Sequence, residues 1–245
     1  MRLVLRNFSG AAFAALAFLG CSLSASADDW SGCHAGVNLG AARAKSTVTD
    51  MLYDQGPYAG AAAWNGVGES VTADGTDAAV GMSLGCDRQV APMGEGALVI
   101  GGVLDIAALN TGGSAAFGGA GHDTVAAFEV NSAASLRFRA GYAQQDRFYY
   151  LTGGVTRGDI DVSARDHGGP ALMQVSGGGG KSGWVIGAGV EWRVAENRTL
   201  DANLLHYDFG TLTATGEARD PAGAFPRFEH DVTVDMLRIG LNWRF

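Results

Sequence analysis

The side chains that could bind a metal or a phosphate, or act as a nucleophile, are few and scattered. No two of the five histidines have metal-ligand spacing on one strand or helix; they are His34, His122, His167, His206 and His230. No cysteine or serine nucleophile stands with a nearby histidine. Residues 175–182 approach the phosphate-binding pattern G-x-x-x-x-G-K-[ST], but Val175 replaces the first glycine and no strand-then-helix context surrounds them. The sequence therefore predicts no catalytic, cofactor or metal site, and a flexible loop at residues 175–182.

Charged side chains instead recur at every second position within apolar segments. In residues 237–245, Leu237, Ile239 and Leu241 alternate with polar or small residues, a period of two that is typical of a strand with one apolar and one polar face. The same alternation marks seven further segments: 32–42, 79–89, 98–106, 134–142, 147–162, 182–195 and 198–212. The sequence therefore predicts eight strands and an all-β fold.

The polar faces of these strands combine charges with glycine, which makes up 38 of the 245 residues. A soluble sandwich or a lipocalin-like barrel would turn these faces to water, where glycine only weakens a strand. Inside a narrow barrel, glycine makes room for neighbouring side chains. We therefore expect the charged residues to pair across a filled lumen, since an unpaired buried charge is costly. The predicted network consists of Asp105, Arg137, Arg139, Glu191, Arg193, Asp201, Arg238 and Arg244.

Long and short connections alternate along the chain. The long ones are residues 44–77, 111–129, 164–181 and 215–230, and the short ones are 91–96, 145–146 and 196–197. Aromatic residues near the strand ends, such as Trp184 and Trp192, suit a girdle at a lipid boundary. Long external loops and tight periplasmic turns are typical of barrels in bacterial outer membranes. The pattern thus predicts an eight-stranded antiparallel up-and-down transmembrane β-barrel.

The N-terminus has the features of a secretory signal peptide. Two arginines precede an apolar run, and Ala25-Ser26-Ala27 forms a cleavage site, which predicts a signal peptide at residues 1–27 and a barrel domain at 28–245. An alternative is a lipoprotein signal with Cys21 as the lipidated residue. Cleavage after Ala27 removes two arginines and no acid, so the net charge of −8 becomes −10 and nucleic acid is not expected as a partner.

Three segments resemble a known family: residues 29–32, 183–192 and 237–245. They are similar to the small outer-membrane β-barrels of alphaproteobacteria, the opacity-like, porin-family surface proteins. The resemblance implies secretion to the periplasm and residence in the bacterial outer membrane, in contact with its lipid. It also implies that Trp243 and Phe245, at the end of the last strand, form the signal for the outer-membrane assembly machinery. No external ligand is implied.

Two cysteines depart from that family's pattern. Cys33 and Cys86 stand where relatives usually have aromatic residues, and both lie on the apolar side of the alternation. Strands one and two are antiparallel neighbours, so an early residue of one can face a late residue of the other. We therefore hypothesise a Cys33–Cys86 disulfide, which an oxidising periplasm permits. The alternative is two free residues that face lipid.

These features predict a structural, surface-exposed barrel with long external loops and no enzymatic activity. One alternative is a small or gated porin-like channel, although eight strands leave an interior that side chains fill. Another is an enzyme that modifies lipid A, for which His206 on the seventh strand would be the base. Such a histidine also suits the polar and aromatic girdle of a membrane barrel.

Overall fold

The computed structural model describes residues 29–61, 67–118, 123–166, 173–220 and 222–245. Within them the chain forms eight antiparallel strands in sequence order, and β1 pairs with β8 to close a barrel. The strands are β1 (Gly32–Asp50), β2 (Ser70–Met93), β3 (Gly96–Ala116), β4 (Thr124–Gln144), β5 (Arg147–Asp166), β6 (Gln174–Ala195), β7 (Arg198–Thr215) and β8 (Arg227–Arg244). The predicted eight-stranded up-and-down barrel is confirmed. The proposed signal peptide and the alternative at Cys21 lie outside the described residues.

The strands are much longer than the alternating segments indicated. They contain 18 to 24 residues, about twice the 9–11 that cross a bilayer. The boundaries predicted for the long loops are therefore wrong: β1 continues to Asp50 and β2 begins at Ser70, well inside the predicted loop 44–77. The two-residue turns at 145–146 and 196–197 are confirmed. In the described part of the chain, no helix has the length and apolar character needed to span a membrane.

The polarity of the wall reverses along the barrel. We call the half with the chain termini and the short turns the inner half, and the other the outer half. In the inner half, apolar residues such as Val37 and Leu39 point outward and are exposed, as a lipid-facing wall requires. In the outer half, Arg43 is on the outside while Ala42 and Ala44 are fully buried inside. The interior there is one apolar cluster contributed by all eight strands, and the outside is polar.

This reversal explains the misplaced loop boundaries. Once a strand leaves the lipid, its outward residues must be polar and its inward residues must fill a core, so the apolar phase shifts by one residue. On β8, Leu237 and Ile239 face outward, whereas Val232 and Val234 are buried inside. A strand whose apolar face changes side midway does not show one continuous alternation in the sequence.

The β6–β7 seam is the most irregular of the eight. Residues 177–183 of β6 have no ladder partners on β7 between the pairs Ser176–Thr215 and Trp184–Asp208. The same residues pair with β5 throughout, so the glycine run 177–180 is part of a strand, and the loop predicted at 175–182 is wrong. Gly178 and Gly179 have φ angles of +139° and +113°, which other residues rarely adopt. The Lys181 ammonium group donates a hydrogen bond to the Thr211 carbonyl oxygen at 2.7 Å and bridges this gap.

We expect this seam to be the part of the wall that opens most readily. Backbone amides that lack ladder bonds exchange with solvent through small local openings. In hydrogen–deuterium exchange, the amides of residues 177–183 and 209–214 that face the seam should exchange at least about 100-fold faster than those at the outer end of the uninterrupted β1–β2 ladder. Equal protection at the two seams would contradict this expectation.

Candidate functional site in the barrel lumen

The inner half of the lumen is organised around Arg139 on β4. Its Nε and Nη2 donate to the two oxygens of Asp87 on β2, at 2.7 and 2.5 Å, and its Nη1 donates to Glu191 on β6 at 2.9 Å. The guanidinium is only 3% exposed, and both carboxylates are fully buried. Paired, charge-assisted bonds of this kind have fixed geometry and are stronger than neutral hydrogen bonds.

Arg244 on β8 completes this group near the inner end of the barrel. Its Nη1 lies 3.3 Å from Asp87 and 3.4 Å from Glu191. The Thr199 hydroxyl donates to Glu191 at 2.5 Å, and the His34 ring lies 3.6 Å from Asp87. Two guanidinium groups thus neutralise two carboxylates that are themselves fully buried.

A second group lies further along the lumen and is centred on Asp105 of β3. Arg238 donates to Asp105 at 2.6 Å and to the Asn203 side-chain oxygen at 2.8 Å. Arg137 approaches the same Asp105 oxygen at 3.7 Å, which is an ion pair but not a hydrogen bond. Asp105 is therefore shared by two arginines, and its contact with Arg137 is longer than its contact with Arg238.

The contacts described for two of the predicted members, Asp201 and Arg193, are with uncharged groups. Asp201 accepts hydrogen bonds from the Tyr150 hydroxyl at 2.7 Å and from the Asn203 amide at 2.5 Å, and no ion pair to an arginine is found for it within the described chain. Arg193 lies at the inner mouth, where it donates to the Asp29 carbonyl oxygen at 2.8 Å. The Tyr150 hydroxyl occupies one oxygen of Asp201, and the Arg193 guanidinium lies over the Trp30 ring.

Sequence reasoning missed Asp87, although it joins two of the arginines. The alternation of β2 indicates its place, because Leu84 and Cys86 lie on the apolar face and Asp87, next to Cys86, must lie on the polar one. Glycine has the expected role beside this network: a Cβ at Gly101 would lie 2.2 Å from Asp87 Oδ1, and one at Gly189 would lie 2.4 Å from the Tyr150 hydroxyl.

Trp30 closes the inner mouth of the barrel. It is 1% exposed, and its indole N–H donates to the Gln145 carbonyl oxygen at 3.4 Å. The guanidinium groups of Arg193 and Arg244 lie 4.8 and 5.4 Å from its ring, within cation–π range. The Phe148 ring packs against the indole, with 5.6 Å between the ring centroids. The N-terminal segment thus folds over the lumen and seals it beneath the ion pairs.

His206 lies on the outer surface of the barrel, just above the lipid-facing residues of β7. Its Nδ1 is 2.7 Å from Asp235 Oδ1 on β8, and its ring lies 5.5 Å from that of Trp184. Both members of the pair are substantially exposed. None of the hydrogen bonds described for His206 joins it to a serine or threonine hydroxyl. An exposed polar pair beside a tryptophan is typical of the polar and aromatic girdle of a membrane barrel.

A disulfide joins β1 and β2 at the inner end of the barrel. Cys33 and Cys86 are directly opposite in the β1–β2 register and are bonded to each other, as hypothesised from the sequence. Both side chains lie on the outward face, two positions from Ala35 and Leu84. The bond fixes the register of two strands whose cysteines are 53 residues apart in the chain.

Removing this bond should weaken the barrel considerably. A crosslink over 53 residues restricts the unfolded chain, and the Cys33→Ser/Cys86→Ser variant should lose about 2–4 kcal/mol of unfolding free energy. Urea titration in detergent, read by circular dichroism, measures the loss. Treating the unchanged protein with a reductant is the matched experiment, and full stability after reduction would contradict the prediction.

Comparison with known proteins identifies the family of this barrel. The profile of the outer membrane protein beta-barrel domain matches residues 13–245. The chain belongs to this family. The barrel therefore resides in the bacterial outer membrane, and its exposed inner-half wall faces lipid.

Two kinds of relative extend the comparison. The 31 kDa outer-membrane immunogenic proteins of Brucella melitensis and Brucella suis are each 27% identical to the barrel over 152 residues, 62% of this chain. The match spans 61% of the Brucella proteins' own length. The crystal structure of OprG from Pseudomonas aeruginosa has the same fold, with a TM-score of 0.55 at 11% identity, covering 89% of this chain and 99% of OprG.

Proposed function

We propose that this protein is a structural, surface-exposed barrel of the outer membrane that neither catalyses a reaction nor conducts solutes. The observation that carries the proposal is the filling of the lumen. Trp30 seals the inner mouth, buried ion pairs fill the inner half, and an apolar cluster fills the outer half. Side chains can fill an eight-stranded barrel in this way, whereas aqueous channels occur in barrels of about 16 strands.

The outer half supports a role at the cell surface. Its wall extends past the lipid-facing band and presents charged outward residues, among them Arg43, Asp74 and Asp161. The outer ends of the strands therefore stand away from the membrane. The proposed partners are outer-membrane lipid along the wall and the assembly machinery through Trp243 and Phe245; Phe245 is 76% exposed at the end of the barrel.

Conductance tests the closed lumen directly. In planar bilayers, the purified protein should give no steady openings under conditions in which a 16-stranded porin opens readily. Steady openings would favour the small-channel alternative. For the enzyme alternative, acyl release or transfer on lipid A that disappears in His206→Ala would overturn the proposal.

The lysines of the chain allow a sharp test of surface exposure. Lys45 and Lys181 are the only two, and both lie in the outer half. A membrane-impermeant amine reagent applied to intact cells should label the protein. The Lys45→Arg/Lys181→Arg variant keeps both charges and should lose this label. Labelling that appears only after lysis would contradict the proposed orientation.

A further inference from the structure

The disulfide between β1 and β2 lies at the inner edge of the lipid-facing band. On β1 the outward residues within 33–41 are uncharged, and Arg43 is the first outward charge beyond them. On β2 the outward residues within 78–86 are uncharged too, and Arg88 is the next outward residue. Each stretch has the length that crosses a bilayer, about 9–11 residues. The disulfide therefore belongs to the innermost layer of the wall that lipid covers.

The surroundings of the disulfide on the outer wall are apolar. Ala35 and Leu84 are its outward neighbours along the two strands. Across the closing seam, the Cys33 N–H donates to the Phe245 carbonyl oxygen at 3.1 Å, and the Phe245 N–H donates to the Cys33 carbonyl oxygen at 2.9 Å. Directly opposite residues of antiparallel strands point to the same face, so Phe245 flanks the disulfide on the outside. This aromatic neighbour arrives only when β8 closes the barrel on β1.

The formation of a disulfide needs conditions that this part of the closed wall does not offer. A thiolate attacks the disulfide of an oxidant to give a mixed disulfide, and the second cysteine sulfur then displaces the oxidant. The oxidant leaves as a dithiol with the two electrons and two protons that the cysteines lose. Apolar surroundings disfavour the charged thiolate, and a polar oxidant does not enter the hydrocarbon of a bilayer. The exchange therefore requires a chain that is still in contact with water.

We propose that the Cys33–Cys86 bond forms in the periplasm before the chain inserts, by exchange with the disulfide of a soluble thiol oxidase. The assembly machinery then receives β1 and β2 as a covalently joined pair, and β8 closes on a β1 whose inner end is already fixed. The order of these steps does not depend on whether the barrel conducts solutes.

The residues of the β1–β2 ladder give this early bond a purpose. The ladder includes pairs of small residues, such as Gly40 with Ala79 and Ala41 with Ala78. Glycine-rich strands specify their register only weakly. A slip by two residues would also keep every side chain on its own face, so the alternation of polar and apolar residues does not prevent it. The disulfide excludes such a slip, because it joins two directly opposite residues.

Oxidation of the reduced protein before and after insertion tests the proposed order. Reduced protein, either unfolded in urea or inserted in lipid nanodiscs, is mixed with oxidised glutathione, quenched with an alkylating reagent and separated on non-reducing gels. Nanodiscs leave both ends of the barrel open to the buffer. Insertion should slow the oxidation at least about 10-fold. Reduced protein that fails to insert would support the same order, since oxidation would then have to come first.

A cysteine pair outside the lipid is the matched control. Thr47 and Thr72 are directly opposite in the same uninterrupted β1–β2 ladder and also face outward, but they lie in the polar outer half. In the Cys33→Ser/Cys86→Ser background, the Thr47→Cys/Thr72→Cys pair should be oxidised readily in nanodiscs. Native cysteines that are oxidised in nanodiscs as fast as this pair would overturn the proposal.

The order of the two steps is also measurable in cells. After a pulse of radioactive label, free thiols are blocked with N-ethylmaleimide at intervals, and unboiled gels separate folded barrels from unfolded chains. Unfolded chains that already contain the disulfide should appear before the folded barrels. Folded barrels that carry free thiols first and become oxidised later would overturn the proposal.

Discussion

Replacing Arg139 with methionine should lower the free energy of unfolding by about 3–5 kcal/mol, the usual loss when one partner of a buried ion pair is removed. Methionine fills most of the space but leaves Asp87 and Glu191 with Arg244, at 3.3 and 3.4 Å, as their remaining guanidinium partner. Both carboxylates are fully buried and cannot regain water without opening the barrel. Urea titration in detergent or lipid vesicles measures the change.

Two further variants show how much of the stability loss comes from the unpaired buried carboxylates and how much from losing an arginine contact. Arg43→Met removes an exposed arginine that pairs with Asp74 at 2.9 Å, and it should change stability by about 0–1 kcal/mol. Adding Asp87→Asn to Arg139→Met should restore part of the loss, because it removes one of the uncompensated charges. If Arg139→Met and Arg43→Met were equally mild, the lumen network would not be a major source of stability.

Replacing Trp30 with alanine should be similarly damaging, with a loss of about 3–5 kcal/mol. The indole is 1% exposed, packs on Phe148 and lies beneath the guanidinium groups of Arg193 and Arg244. Its removal leaves a large cavity at the inner mouth and admits water to the ion pairs. We therefore expect both a lower urea midpoint and faster hydrogen exchange at the inner ends of the strands.

Trp184→Ala is the matched control for Trp30→Ala. Trp184 is the same residue type but is 44% exposed on the outer wall, where it contacts His206. Its loss should leave the inner strand ends protected and reduce stability much less. Equal effects of the two substitutions would show that Trp30 is not a structural seal.

The sequence predicted most of the fold because strand patterning is local. The alternation of Leu237, Ile239 and Leu241 with polar residues marks β8 without reference to any other strand. The turns at 145–146 and 196–197 follow from the short gaps between such segments. The Cys33–Cys86 bond, hypothesised from the antiparallel pairing of strands one and two, is also confirmed.

The composition and alternation of the chain thus predicted by themselves an eight-stranded barrel with an apolar outward face and a charged lumen. The structure limits the charged lumen to the inner half, because an apolar cluster fills the outer half. Only the tertiary structure decided which charges pair. Asp87 reaches Arg139 across 52 residues and Arg244 across 157, because closing a barrel brings distant strands within one side-chain length. The tertiary structure also decided where the wall changes polarity and where the β6–β7 ladder is interrupted. The change of polarity is present in each strand as a shift of the apolar phase, but which phase faces inward depends on what lies on each side of the closed wall.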